Sequence, residues 1–132
     1  MPIPTPFHPR TSALCTSMFW KDWAGYHAVR SFGTCHEREY YAIRHAAGLF
    51  DVSPLFKYDV RGKDAKALLT RVMTRDISKL RPGRVTYCCW CDDAGKVMDD
   101  GTVSNLGDGH YRVTAAEPTF GWLHRNARGL DL

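Results

Sequence analysis

The sequence predicts an α+β fold, an antiparallel β-meander with helices packed against it, and three observations carry that prediction. Val85–Cys91 is rich in β-branched and aromatic residues, and Asp92-Asp93-Ala94-Gly95 then supplies the turn chemistry that reverses a strand into a second arm, Lys96–Ser104. After a Gly107-Asp108-Gly109 turn, His110–Ala116 reads as a third strand of the same meander. Helical stretches at 64–74 and 118–128 then give the order strands, helix, strands, helix.

The opening Met1–Pro9 holds four prolines in nine residues and reads as an extended arm. That arm continues to residue 33, where the rings of Phe19-Trp20-Lys21-Asp22-Trp23-Ala24-Gly25-Tyr26 are expected as buried anchors of a non-regular segment. Thr34-Cys35-His36-Glu37 has the Thr-x-x-Glu form of a capping box. It predicts a helix to about Ala47, stopped by Gly48, with Tyr40, Ile43 and Ala47 at helical spacing toward the core.

Leu49–Phe56 reads as strand-like and Tyr58–Gly62 as a second strand, with Pro54 interrupting the pairing between them and favouring a bulge or an edge. Asp64–Thr74 is amphipathic, with Leu68, Leu69, Val72 and Met73 as its core stripe. Asp76–Arg84 is a loop whose Lys79, Arg81 and Arg84 are solvated charges. Pro118 occupies a first helical position, Phe120, Leu123 and Ala127 point inward, and Gly129 ends the last helix.

A hydrophobic content of 44% with 24% charged residues permits a core and carries no disorder signature. The net charge of +4 is mild, and no nucleic-acid-binding motif accompanies it. No stretch reaches the ~20 apolar residues of a membrane span, and the N-terminus lacks a basic region followed by an apolar run. Five cysteines, three of them at 88, 89 and 91, do not form a disulfide framework. They fit a reducing compartment, so a cytoplasmic protein is expected.

The second arm of the hairpin carries two adjacent carboxylates, Asp99 and Asp100, although Asp is a poor strand former. Strand alternation sends them to opposite faces, Asp99 with Val97, Gly101 and Val103, Asp100 with Met98, Thr102 and Ser104. They are therefore not a catalytic pair, and at most one serves a given site. Asp99 reads as a surface residue near a turn.

Gly95-Lys96-Val97-Met98-Asp99-Asp100-Gly101-Thr102-Val103 resembles the G-x-[IV]-[LIM]-D-D-x-x-V hairpin of the aminomethyltransferase (glycine-cleavage T-protein) family. The same order of landmarks runs through Ala47–Ser53, Val60–Ala65, Thr74–Ser78, Pro82-Gly83, Tyr87 and Val113–Ala116. The likeness covers nearly the whole chain from Thr5 onward. It implies the N-terminal part of a folate-binding fold, with 1–132 as a single partial domain, because the family's chains are much longer.

The resemblance implies tetrahydrofolate as cofactor, a small-molecule one-carbon donor, and a lipoyl-carrying protein as a further partner. Asp100 aligns with the family aspartate that holds the folate. Chemically, an ionised carboxylate accepts charge-assisted hydrogen bonds from a pterin and stabilises positive charge developing on it. Tyr87 matches a family tyrosine facing the folate, where its ring would stack on a flat heterocycle; core burial is the competing reading. Thr102 and Ser104 share the face of Asp100 and are smaller than in many relatives. Thr114 stands where relatives often have Asn. Leu55 reads as an apolar wall, within a Pro54-Leu55 pair that replaces a common His-Met.

The expected function is a tetrahydrofolate-dependent aminomethyl or methyl transferase. The alternative is a folate-binding or assembly module without turnover. Cys88, Cys89 and Cys91, joined by Cys35 or His36, would make a third reading, a zinc or iron–sulfur site, but Cys-x-Cys on one strand falls short of four ligands.

Overall fold

Regular structure begins earlier than the proline spacing predicts. The computed structural model describes residues 1–132, which divide into two units, 1–54 and 55–132. In the first unit, β1 (Ile3–Pro4) is followed by α1 (His8–Leu14), β2 (Phe19–Trp23), β3 (Tyr26–Ser31) and α2 (His36–His45), with the strands ordered β1-β3-β2. Proline is accommodated in the first turn of α1, where its missing N–H costs no helical bond.

The aromatic segment is a regular hairpin, not an irregular arm. Trp23 pairs with Tyr26, leaving Ala24-Gly25 as a two-residue turn with φ of 49° and 80°. Positive φ at both positions suits the right-handed twist of the flanking strands. The rings are only partly covered: Phe19 is exposed, and Trp20, Trp23 and Tyr26 are half-buried. Ser17 Oγ bonds the Ser31 carbonyl, and Thr5 Oγ1 donates to Asp51 Oδ2 at 2.6 Å.

The helix α2 corrects two expectations. Its N-cap is Cys35, with no side-chain cap. Glu39, not Glu37, turns back to accept from Phe32 N at 2.8 Å, Gly33 N at 3.1 Å and Ser31 Oγ at 3.1 Å. These bonds, that from Gly33 foremost, lower the Glu39 pKa. Tyr40, Ile43 and Ala47 do not face a core, since no residue of α2 is buried and Ala47 is exposed. Helical spacing defines a stripe; it does not supply the surface to bury it.

The second unit carries the meander. Residues 49–55 form no strand, and the first strand here is β4 (Phe56–Arg61). There follow α3 (Ala65–Val72), a 3₁₀ turn at Ile77–Lys79, β5 (Val85–Cys91), β6 (Val97–Gly107), β7 (His110–Ala115) and α4 (Phe120–Asn126). The four strands pair antiparallel in the order β4-β7-β6-β5, so β4 is an edge. Gly101 leaves no room for a side chain between β6 and β7: a Cβ there would collide with the Thr114 carbonyl oxygen.

One face of this sheet is the core. Leu68 and Leu69 of α3 pack with Trp90, Val103, Val113 and Leu123, all buried. The last helix starts at Phe120, not Pro118, where Thr119 N donates to Tyr58 Oη at 2.9 Å. Leu123 and Ala127 turn inward as expected, but Phe120 is exposed and Trp122 takes the packing role. Alternation along β5, β6 and β7 sends the other half of their side chains to an open, polar face.

Candidate functional site on the open sheet face

The burial pattern of β6 follows strand parity: Asp99, Val103 and Asn105 are buried, whereas Asp100 is exposed and Thr102 and Ser104 are half-buried. Cross-strand register then assembles a wall. Cys89 lies opposite Asp100, Tyr87 opposite Thr102, and Val85 opposite Ser104. On the other side Thr102 pairs with Thr114 and Ser104 with Arg112, and Thr114 pairs onward with Lys57. Asp100, Tyr87, Thr102, Ser104 and Thr114 thus share one surface.

Asp100 and Tyr87 also line a hollow of ≈ 550 Å³, together with Thr74, Arg75, Cys88, Cys89 and Val97. That volume lies in the range of small-ligand sites. Tyr87 is 60% exposed, which disposes of core burial and leaves its ring face available for stacking. Leu55 is half-buried one residue ahead of β4, and its carbonyl accepts from Lys57 Nζ at 2.6 Å. The hollow is not lined by Leu55, nor by Thr102, Ser104 or Thr114, which continue the wall beyond it.

The chain leaving α3 builds one rim of this hollow. Thr74 donates to the Cys89 carbonyl through its N–H at 3.0 Å and its hydroxyl at 2.8 Å, and Thr74 Oγ1 lies 3.4 Å from Cys89 Sγ. Arg75 Nη1 donates to Thr86 Oγ1 at 3.1 Å and to the Tyr87 carbonyl at 3.3 Å. These contacts occupy the outer edge of β5 and bring a hydroxyl and a guanidinium to the site. Thr74 and Arg75 open the Thr74–Ser78 landmark of the sequence, but that landmark gives them no role in the site. Cys89 was traceable through its shared parity with Tyr87.

Asp99 is not a surface residue near a turn. It is only 9% exposed, and its two oxygens accept separate backbone bonds, from Asp100 N at 2.8 Å and from Glu117 N at 2.9 Å. A buried carboxylate requires such partners. Asp99 therefore fixes the backbone that carries Asp100, and the adjacent pair divides into a support and an exposed acceptor.

The cysteine run does not converge. Cys88 turns to the core, where burial foremost pushes its thiol pKa up, while Cys89 and Cys91 are half-buried. No group of three His, Cys, Asp or Glu side chains is placed to hold a metal ion.

Farther along the open face, Asp59 accepts from Arg112 Nε at 2.8 Å and Nη2 at 3.2 Å. Arg61 Nη2 lies 3.6 Å and His110 Nε2 3.4 Å from the same carboxylate. The Arg112 hydrogen bond is the main cause that holds the Asp59 pKa at about 2, with His110 adding to it against the effect of burial. No helix is long and apolar enough to cross a membrane.

Comparison with known proteins places these features in context. Residues 7–132 match the family described as the GCVT N-terminal domain. The chain is 41% identical over 112 residues to the aminomethyltransferase of Geobacillus sp. (strain WCH70), covering 82% of this chain and 30% of that protein. It is 39% identical over 112 residues to the aminomethyltransferase of Anoxybacillus flavithermus, and 33% identical over 112 residues to that of Bacillus subtilis, again over 82% of this chain. The chain thus spans about 30% of the length of these curated relatives. Its fold is similar to the crystal structure of glycine cleavage system aminomethyltransferase T from Bartonella henselae, with a TM-score of 0.88 at 20% identity, covering 99% of this chain and 37% of that one.

Proposed function

The chain belongs to the GCVT N-terminal domain family, whose curated relatives here are aminomethyltransferases, and from that premise we propose that its open sheet face holds tetrahydrofolate during transfer of an aminomethyl or methyl group. The observation that carries this reading is Asp100: an exposed carboxylate, on a strand whose backbone is anchored by Asp99, beside the exposed ring of Tyr87.

The residues fit a reduced pterin. Its ring N–H and amino groups are donors, and Asp100 supplies a carboxylate acceptor. Positive charge developing on a ring nitrogen is stabilised by that carboxylate without reorganisation of the strand beneath it. Tyr87 offers a stacking face. Thr102, Ser104 and Thr114 present hydroxyls along the same wall, and Leu55 gives an apolar contact at its margin. When bound, tetrahydrofolate supplies the nitrogen that accepts the one-carbon unit. The donor is a small molecule or the aminomethyl group of a lipoyl-carrying partner protein.

A second reading, folate binding or assembly without turnover, rests on one observation: Asp100 is the sole carboxylate lining the hollow, so no pair of carboxylates is present there. One-carbon transfer to tetrahydrofolate by the purified protein separates the two readings.

Calorimetric titration of tetrahydrofolate into the wild type and Asp100→Asn tests the proposed site. After circular dichroism has established that both are folded, the mutant is expected to bind roughly tenfold more weakly, about 1.4 kcal/mol. Equal affinity in the two proteins would refute the role of Asp100.

A further inference from the structure

We propose that α2 is a docking surface for a second copy of this chain, whose own α2 meets it antiparallel about a two-fold axis to form a weak dimer.

The helix is open on the side that would dock. Glu39 is its single half-buried residue, tied to Ser31, Phe32 and Gly33, and every other residue of α2 is exposed. Successive helical residues turn by about 100°, so Glu37, Tyr40, Tyr41 and Arg44, at i, i+3, i+4 and i+7, form one stripe on the side away from Glu39. Tyr40 is 55% and Tyr41 58% exposed. Their rings already touch edge to face at 5.3 Å between centroids, and Tyr41 stacks on His45 at 5.8 Å. Rings ordered in this way lose little freedom on docking, and a tyrosine buries its ring while leaving its hydroxyl at a wet rim. Beside Tyr40, Ile43 and Phe50 close over Gly48, where a Cβ would meet Ile43 Cγ1 at 2.7 Å and Phe50 Cε2 at 3.2 Å. The exposed apolar groups are therefore contiguous and not scattered.

Charge selects the occupant. Glu37 and Arg44 stand roughly 10 Å apart along the axis, too far to pair with each other. Neither enters an ion pair in the chain, and the Glu37 carboxylate meets only the Cys35 thiol, at 3.8 Å. A two-fold axis between Tyr40 and Tyr41 sets Glu37 against Arg44 of the copy and Arg44 against its Glu37. Two ion pairs then bracket four tyrosine rings. Such self-complementarity is what an isologous contact requires. Parallel pairing would instead oppose Glu37 to Glu37 and Arg44 to Arg44. A ten-residue helix is only ~15 Å long, and the contact falls short of the ~1,000 Å² of a stable interface, so the dimer forms at high concentration.

Sedimentation equilibrium of the full chain tests this, with reductant present so that exposed Cys35 cannot cross-link. At concentrations up to roughly 1 mM, the mass should rise from 15.0 kDa toward twice that value and fall back with added salt. Glu37→Arg and Arg44→Glu each set like charges against each other at both ends, and each should weaken association about tenfold or more. An equimolar mixture of these two variants restores opposite charges at both ends and should associate to within about threefold of wild type. Arg38→Glu, off the stripe, should leave association unchanged, and Tyr41→Ala should abolish it.

A chain that stays monomeric throughout overturns the second-copy assignment. So does association indifferent to both charge reversals, or a mixture no tighter than its separate variants. Circular dichroism establishes that each variant is folded. Should a reversed charge unfold α2, Tyr41→Ala carries the test, and association unchanged in that variant overturns the proposal.

Discussion

Replacing Asp99 should damage the fold, whereas replacing Asp100 next to it should not. Asp99→Ala removes the acceptor for two backbone N–H groups, those of Asp100 and Glu117, in a place where the residue is only 9% exposed. Hydrogen bonds to a charged acceptor contribute about 1.5–3 kcal/mol each, and a donor left unsatisfied in a buried position costs about 1–3 kcal/mol. Both bonds are only partly shielded from water, so a total loss of roughly 2–4 kcal/mol is expected. Asp99→Asn keeps one acceptor oxygen but sets its NH₂ against the other N–H, and should lose roughly half as much. Asp100→Ala, on the exposed side, should fall within about 0.5 kcal/mol of wild type. Urea denaturation followed by far-UV circular dichroism measures all three through the midpoint and slope. A loss below about 0.5 kcal/mol for Asp99→Ala, the range of ordinary surface substitutions, would refute the assignment of Asp99 as the support. A loss for Asp100→Ala matching that of Asp99→Ala would refute the division of roles.

Gly101→Ala should cost more than about 2 kcal/mol in the same assay, because its Cβ meets the backbone of Thr114, which cannot move without parting β6 from β7. Gly121→Ala, in α4 with open space around the added atom, should instead be neutral or stabilising by up to ~1 kcal/mol. By carboxyl-detected NMR, Asp59 should titrate at about 2 and move toward the ordinary 3.8 in Arg112→Gln. The sign follows from the depressed folded-state pKa: the stabilisation is present above about 3.8 and is lost as pH falls through about 2. Alkylation of the native protein by iodoacetamide, read by mass spectrometry, should modify exposed Cys35 first and half-buried Cys89 and Cys91 next. Buried Cys15 and Cys88 should react only on unfolding, Cys88 doubly protected by its raised pKa. Early modification of Cys88 would contradict the facing of β5.

Strand parity makes the wall legible in the sequence itself. With β6 a strand, Asp100, Thr102 and Ser104 must share a side, and the hairpin register brings Tyr87 beside them. The same parity places Asp99 with Val103, a core residue, and so already implies a buried, bonded carboxylate; the nearness of the turn obscures it. The Ala24-Gly25 turn is harder to see, because Ala is an uncommon residue at φ of 49° and the usual Asn-Gly or Asp-Gly signal is missing. Tyr40 and Ile43 fall at helical spacing but are exposed, because periodicity records a stripe and not its partner. Thr74 and Arg75 enter the site through tertiary contact with β5, which no local pattern encodes.

If the open face carrying Asp100 is a ligand wall, a two-dimensional amide NMR titration of the ¹⁵N-labelled chain with tetrahydrofolate tests it most directly. Shift changes should concentrate at Tyr87, Cys89, Asp100, Thr102 and Thr114, with the core-face neighbours Trp90 and Val103 less affected. Shifts confined to residues 1–54, or a spectrum unchanged at saturating ligand, would contradict it.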